Sequence, residues 1–275
     1  MSDARTKTDA AYGMAETRAF WDANPCGVHG AYDLQREQRY AMEPWIPAKL
    51  SQIAKRHSNI LEVGCGQGVD AMTLCGQLPP NGRYEGIDYS QASISTSELN
   101  ARNLTAQLSV TPHFQVGDAE NLPFPDSAFE AVYSMGVLHH TADERRAVKE
   151  VHRVLAPAGI AYIALYRTFS PKVAVALVLR KIQAVFDRLA GTDRAIYSFL
   201  AGHGTSHPLF GTMFHECFGV PYLKSYTEAQ MRDLFSDFDI RLIQPIGANL
   251  GRLAPRRDGR SSIGVFWWIE ACKRP

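Results

Sequence analysis

Leu61-Glu62-Val63-Gly64-Cys65-Gly66-Gln67-Gly68-Val69-Asp70 decides the fold. Its first residues end a short apolar run, Asn59 to Val63, which enters a cluster of three glycines. Val69 to Leu78 then carries apolar residues at helical spacing until Pro79-Pro80 stops it. The order is strand, turn, helix. Side chains in such a turn would keep the backbone away from a ligand, whereas glycine lets amide groups approach a carboxylate or phosphate near a helix N-terminus. Glycines alone do not choose the ligand, because similar turns bind dinucleotides and others bind nothing. Here the spacing is G-x-G-x-G, with Val69 where the dinucleotide fingerprint has its third glycine.

Outward from this turn the alternation continues. Asn81-Gly82 turns into a second strand, Arg83 to Asp88, and Ser90 is placed to cap a helix over Gln91 to Arg102. Pro112 to Asp118 and Phe129 to Ser134 read as a third and fourth strand, separated by the turn-rich Asn121 to Asp126. Thr141-Ala-Asp-Glu144 reads as a capping box for a helix with Ala147, Val148, Val151 and Leu155 on one face; Pro157 and Gly159 close it before a fifth strand, Ile160 to Tyr166. A partly helical insertion, 167–225, interrupts the pattern. A second capping box at Thr227 to Gln230 resumes it, and Phe238 to Pro245 and Ser262 to Ala271 supply the last two strands. A hairpin between these two makes the final strand antiparallel.

The expected fold is therefore α/β: a Rossmann-like, seven-stranded, mostly parallel sheet with its last strand antiparallel and helices on both faces. The chain reads as one domain over 1–275, with an N-terminal lid (1–50), a ligand-binding core (59–166), the helical insertion as a substrate cover (167–225), and the last helix and two strands (226–275). Its 275 residues, 45% hydrophobic and 21% charged, suit a single globular domain. A formal charge of +1 provides no long-range field for nucleic acid or an anionic membrane. The five cysteines, Cys26, Cys65, Cys75, Cys217 and Cys272, contain no C-x-x-C pair and fit reduced thiols and a cytoplasmic setting. The apolar run Val173 to Leu179 is far shorter than the roughly 20 residues that cross a bilayer and reads as a buried helix.

Four segments carry a family resemblance in order: LEVGCGQGVD at 61–70, YEGIDYS at 84–90, GDAENLPFPDSAFEAVYSMGVLHH at 117–140 and EVHRVLAPAGIAYIALY at 150–166. Together they resemble the class I S-adenosylmethionine-dependent methyltransferases, in particular the methyltransferase type 11 group that includes the ubiquinone and menaquinone C-methyltransferases and many natural-product enzymes. The resemblance is specific over about Asn59 to Tyr166 and diffuse outside. It implies S-adenosyl-L-methionine as cofactor, S-adenosyl-L-homocysteine as product, and methyl transfer to a small molecule in natural-product metabolism. By the same resemblance Glu62 helps hold the methionine amino group, Gly64, Cys65, Gly66 and Gly68 bring backbone against methionine and ribose, and Asp88 takes the ribose hydroxyls, with Tyr89 beside it in the cofactor site. Asp118 and Ala119 edge the adenine, and Met135 and Gly136 lie where the methyl group is presented.

Methyl transfer from a sulfonium chiefly needs alignment and exclusion of water, while a phenol or an acidic carbon also benefits from a base. His139 and His140 follow the fourth strand and are the candidates; capping or packing in the turn is the alternative for each. Tyr166 ends the fifth strand as a candidate wall of the acceptor pocket, and Tyr12, Phe20, Trp21 and Tyr40 are candidates for the lid surface, with helix packing the alternative. His203, His207 and His215 do not form the fixed helical pair of a zinc site, and no metal is expected. The basic cluster Arg252, Arg256, Arg257 and Arg260 reads as a solvated loop or a grip on an anionic acceptor. Homo-oligomerisation stays open. So do two other functions: an NAD-type oxidoreductase, disfavoured by the glycine spacing, and a non-catalytic binding protein on the same fold. A nucleic-acid methyltransferase is disfavoured by the balanced charge and the sequence Ser-Met-Gly-Val-Leu-His-His after the fourth strand.

Overall fold

The computed structural model describes residues 14–24, 30–192, 196–197, 215–247 and 259–274. Seven strands form one sheet: β1 (Asn59–Val63), β2 (Arg83–Asp88), β3 (His113–Val116), β4 (Phe129–Met135), β5 (Leu155–Tyr166), β6 (Phe238–Ile246) and β7 (Phe266–Lys273). Their spatial order is β3-β2-β1-β4-β5-β7-β6, and only β7 runs antiparallel to its neighbours. The order reverses between β1 and β4, and ligands of open α/β sheets bind in the crevice outside the carboxyl ends of the strands at such a switch point.

Both faces of the sheet are covered, which is why its central strands read as nearly continuous apolar runs rather than alternating ones. In β5, Ile160, Tyr162, Ala164 and Tyr166 join one buried cluster, and Ala161, Ile163 and Leu165 join the other. The first cluster takes in α3 (Ile46–Arg56) and α4 (Val69–Cys75), with α5 (Gln91–Leu104) beside it. The second takes in α6 (Glu144–Val154) and α8 (Glu228–Leu234). Two further helices, α1 (Met14–Ala23) and α2 (Tyr32–Met42), precede the sheet, and α7 (Pro171–Ala190) follows β5.

Local signals are realised in most places. The Ser90 hydroxyl accepts from Ser93 N–H at 3.1 Å to cap α5, and Thr227 with Gln230 forms a full capping box on α8. Three expectations shift. The cap of α6 is Asp143, whose carboxylate accepts from Arg146 N–H at 3.0 Å; Thr141 stays outside the helix because Lys224 Nζ donates to the carbonyls of Thr141 and Ala142. β5 starts at Leu155 rather than Ile160, since the chain leaves α6 directly into pairing with Phe129 and makes an irregular excursion before Ile160 meets Ala131. The run Val173 to Leu179 is helical, yet only Val173 and Ala176 of its large or small apolar residues are buried, and Val175 and Val178 face solvent. No described helix is long and apolar enough to cross a membrane.

Candidate active site

Beyond β1 the chain enters the glycine turn with Gly64, Gly66 and Gly68 all at positive φ, of +81°, +54° and +81°. The three do different things. A Cβ at Gly64 would collide with the Val137 side chain, and one at Gly68 would come within 2.9 Å of Ser97 Cβ. On the Cβ side both positions are closed by protein. A Cβ at Gly66 would meet nothing within 4 Å, so here the backbone borders open space at the strand ends. Cys65 between them is buried, and burial pushes its thiol well above its usual range, which leaves it an inert packing group.

Asp88 ends β2 next to this turn. Gly66 N–H donates to Asp88 Oδ2 at 2.9 Å, and Ser90 N–H donates to Oδ1 at 2.9 Å. Burial raises the carboxyl above its usual range while these amides draw it back. Each oxygen keeps a lone pair for a further donor. Glu62 lies behind the turn, buried, and accepts a short hydrogen bond from Tyr84 Oη. Burial first, then the neighbouring Asp70 charge, holds its carboxyl well above the usual carboxylate range.

The remaining candidates follow the strand ends in order. Tyr89 is half-buried after β2. Asp118 follows β3, with Oδ1 accepting from Glu120 N–H at 2.8 Å, and Ala119 beside it is half-buried. Met135 ends β4, and Gly136, at φ +76°, donates to the Ala164 carbonyl at 3.0 Å.

A short 3-10 turn, Leu138–His140, carries both histidines against β5. His139 is fully buried with its ring centroid 4.0 Å from that of Tyr166, and neither ring nitrogen has a hydrogen-bond partner. Burial holds its imidazole well below 6.5. His140 Nδ1 donates to the Tyr222 carbonyl at 2.6 Å, which puts the lone pair of the neutral ring on Nε2. Trp21 of α1 sets its ring edge-on to His140 at 5.3 Å, and Phe20 packs against Trp21 at 5.1 Å. Tyr166 stacks on Phe266 at 5.0 Å, with Lys172 Nζ 5.4 Å from its ring. Phe20, Trp21, His139, His140 and Tyr166 are thus brought together.

Tyr40 is placed elsewhere: its hydroxyl is 2.6 Å from Thr73 Oγ1 of α4. Tyr12, Cys26, His203, His207, Arg252, Arg256 and Arg257 lie outside the described residues; Arg260 donates to Gln244 Oε1 at 2.6 Å. Three ties escaped the sequence reading. Arg39 of α2 pairs with Asp70 of α4, Asp22 Oδ1 of α1 accepts from Gln91 N–H at the start of α5, and Lys224 pairs with Glu144. The first two fasten the N-terminal helices to the elements that flank the crevice. Asp70 was visible within the quoted glycine stretch, but nothing local marked Arg39 as its partner.

Residues 61–163 match the family described as a methyltransferase domain, so the resemblance holds over the first three motifs and most of the fourth. The 2-phytyl-1,4-naphtoquinone methyltransferase of Synechococcus elongatus is 34% identical over 134 residues, covering 48% of this chain and 54% of that protein. The chain spans about half or less of the length of the curated relatives it matches. Among solved structures, a chain of the complex between the Haloferax volcanii Trm112 methyltransferase activator and a methyltransferase aligns with a TM-score of 0.57 at 17% identity, covering 99% of this chain and 100% of that one. The magnesium protoporphyrin IX methyltransferase of Synechocystis PCC 6803, solved with bound SAH, aligns with a TM-score of 0.54 at 15% identity, covering 93% and 92%. At these identities the structures speak for the fold alone. The seven-stranded Rossmann-like sheet is the fold this chain shares with both.

Proposed function

We propose that this chain transfers a methyl group from S-adenosyl-L-methionine to a small-molecule acceptor and leaves S-adenosyl-L-homocysteine. The observation that carries the reading is the turn at Gly66, whose backbone borders open space while its amide holds the Asp88 carboxylate at 2.9 Å, within the segment that matches a methyltransferase domain. Asp88 keeps acceptor capacity for two ribose hydroxyls. Backbone at Gly64, Cys65, Gly66 and Gly68 takes the methionine and ribose, and the Glu62 carboxyl receives the ammonium group, whose positive charge favours the ionised form that burial disfavours. Tyr89, Asp118 and Ala119 border the adenine, with Met135 and Gly136 at the reacting end.

S-adenosylmethionine, when bound, would supply an activated methyl carbon, and the part of this chain's residues is to align it with the acceptor, exclude water and take the acceptor's proton. His140 is that base for a phenolic or carbon acid, because the Tyr222 carbonyl fixes the tautomer with its lone pair on Nε2. Trp21 and Tyr166 flank it as aromatic walls that exclude water and suit a flat, apolar acceptor. The lid (1–50), the core (59–166) and the cover (167–225) act as one domain, and natural-product metabolism in the cytoplasm is the setting that belongs to this reading.

Calorimetric titration with S-adenosylmethionine and with NADH, repeated on Asp88→Ala, tests it. Binding of S-adenosylmethionine alone, weakened about a hundredfold or more by the substitution, is expected, since hydrogen bonds to a charged group are worth about 1.5–3 kcal/mol each. Wild-type protein that binds neither ligand, or binds NADH, overturns the reading.

A further inference from the structure

Helix α7 has two apolar faces. One packs inward through Val173 and Ala176, and beside them Arg180 Nη1 and buried Gln183 Nε2 donate to the carbonyls of Val220 and Phe218. The other carries Val175, Val178, Ile182, Val185, Phe186 and Leu189, which are 42% to 79% exposed. Their spacing of three, four, three, one and three residues keeps them on a single stripe along the helix. A contiguous exposed stripe of this length on a soluble surface marks a contact site rather than scattered apolar residues.

Charge says what covers it. Lys181 and Arg188, seven residues apart and both exposed, form a ridge along one edge of the stripe. Phe169, 71% exposed just before the helix, adds an aromatic ring at its N-terminal end. An apolar stripe edged by cations, with aromatic anchors, is the pattern of a helix lying in the headgroup layer of a bilayer. We propose that α7 docks this chain onto an anionic membrane surface. The formal charge of +1 does not oppose this, because the attraction is local: exposed cations act on the surface potential within a Debye length. A second copy fits the ridge less well, since antiparallel pairing of two α7 helices across a two-fold axis sets both cationic ridges on the same side of the pair, with Lys181 of one copy toward Arg188 of the other. The helix starts five residues after Tyr166, so docking brings the acceptor end of the crevice near the lipid. This contact stands independently of methyl transfer.

Co-sedimentation of the full chain with phosphatidylglycerol-containing vesicles and with pure phosphatidylcholine vesicles, without any methyl donor, tests it. Wild-type protein is expected to sediment with the anionic vesicles. Val178→Asp combined with Val185→Asp abolishes this while circular dichroism and the melting temperature stay unchanged. Lys181→Gln with Arg188→Gln lowers partitioning onto anionic vesicles roughly twenty-five-fold, in keeping with about fivefold for each cation near the surface, and has no effect on the uncharged ones. Protein that remains in the supernatant, that binds both vesicles equally, or whose stripe variants convert a dimer to monomer in light scattering overturns the proposal.

Discussion

Arg39 Nη2 lies 2.8 Å from Asp70 Oδ2, and Tyr133 Oη donates to the same oxygen at 2.9 Å. One carboxylate thereby ties the N-terminal helix α2, the helix that follows the glycine turn, and the central strand β4. Asp70 is buried, and its tolerance for that position comes from the guanidinium. Arg39→Met leaves the carboxylate with a single hydroxyl donor and is expected to cost about 3–5 kcal/mol, the range for an uncompensated buried charge. Asp70→Asn removes the charge as well and costs less. Urea unfolding checks this: the midpoint of Arg39→Met falls below that of Asp70→Asn with unchanged slope.

The three glycines of the turn separate folding from ligand contact. Gly64→Ala drives a Cβ into Val137 and also sits at φ +81°, so a stability loss of about 2–4 kcal/mol is expected, partly recovered by Val137→Ala. Gly66→Ala meets only open space and bears the conformational cost of φ +54°, about 1 kcal/mol. Its methyl occupies the space proposed for the donor. Thermal melts with calorimetry on both variants should therefore show Gly66→Ala as the more stable protein and the weaker binder of S-adenosylmethionine. Equal binding by wild type and Gly66→Ala refutes the assignment of this space to the donor.

What was legible in the sequence was local in the chain. The turn, Asp88 and the cap at Ser90 are set by residues within a few positions of one another, and the seven strands follow from apolar runs punctuated by Gly and Pro. Long-range pairings were not legible: Arg39 finds Asp70, and Asp22 finds Gln91, only once the helices pack. Thr141 and Asp143 are both cap residues by type, but Thr141 ends the preceding 3-10 turn with its hydroxyl donating to the Leu138 carbonyl, and Lys224, distant in sequence, donates to its carbonyl, which leaves the cap to Asp143. The apolar composition of α7 was plain, but hydropathy does not say which of two apolar faces the core receives.

Glu62 makes stability depend on pH in an unusual direction for a carboxylate. Its folded pKa lies above the unfolded value of about 4.3, so between the two the native state holds more protons than the unfolded chain. The contribution is fully present below about pH 4.3 and is lost as pH rises toward the folded pKa. Glu62→Gln keeps an acceptor for the Tyr84 hydroxyl and has no proton to lose. The variant is expected to be the more stable protein at pH 8, with the gap closing toward pH 4.5 in chemical denaturation series. A constant gap across that range excludes Glu62 as its source.

His139 works in the opposite sense. Burial, with His140 and Lys172 nearby, holds its imidazole well below 6.5, so the unfolded chain binds the extra proton and stability falls as pH drops below that value. Its two ring nitrogens are buried without partners, a cost of about 1–3 kcal/mol for each unmet polar group. His139→Leu removes both liabilities but also loses the close ring contact with Tyr166. A net gain of about 1 kcal/mol at pH 7.5 is expected, growing toward pH 5.5; the depressed His57 and His152 are common to both proteins and cancel. His140→Ala should leave that pH dependence in place and slow methyl transfer at saturating donor. Melts from pH 5.5 to 8, paired with turnover of a labelled methyl donor, distinguish the two histidines: if His139→Leu abolishes transfer and His140→Ala does not, the base is the buried ring and the assignment made here is reversed.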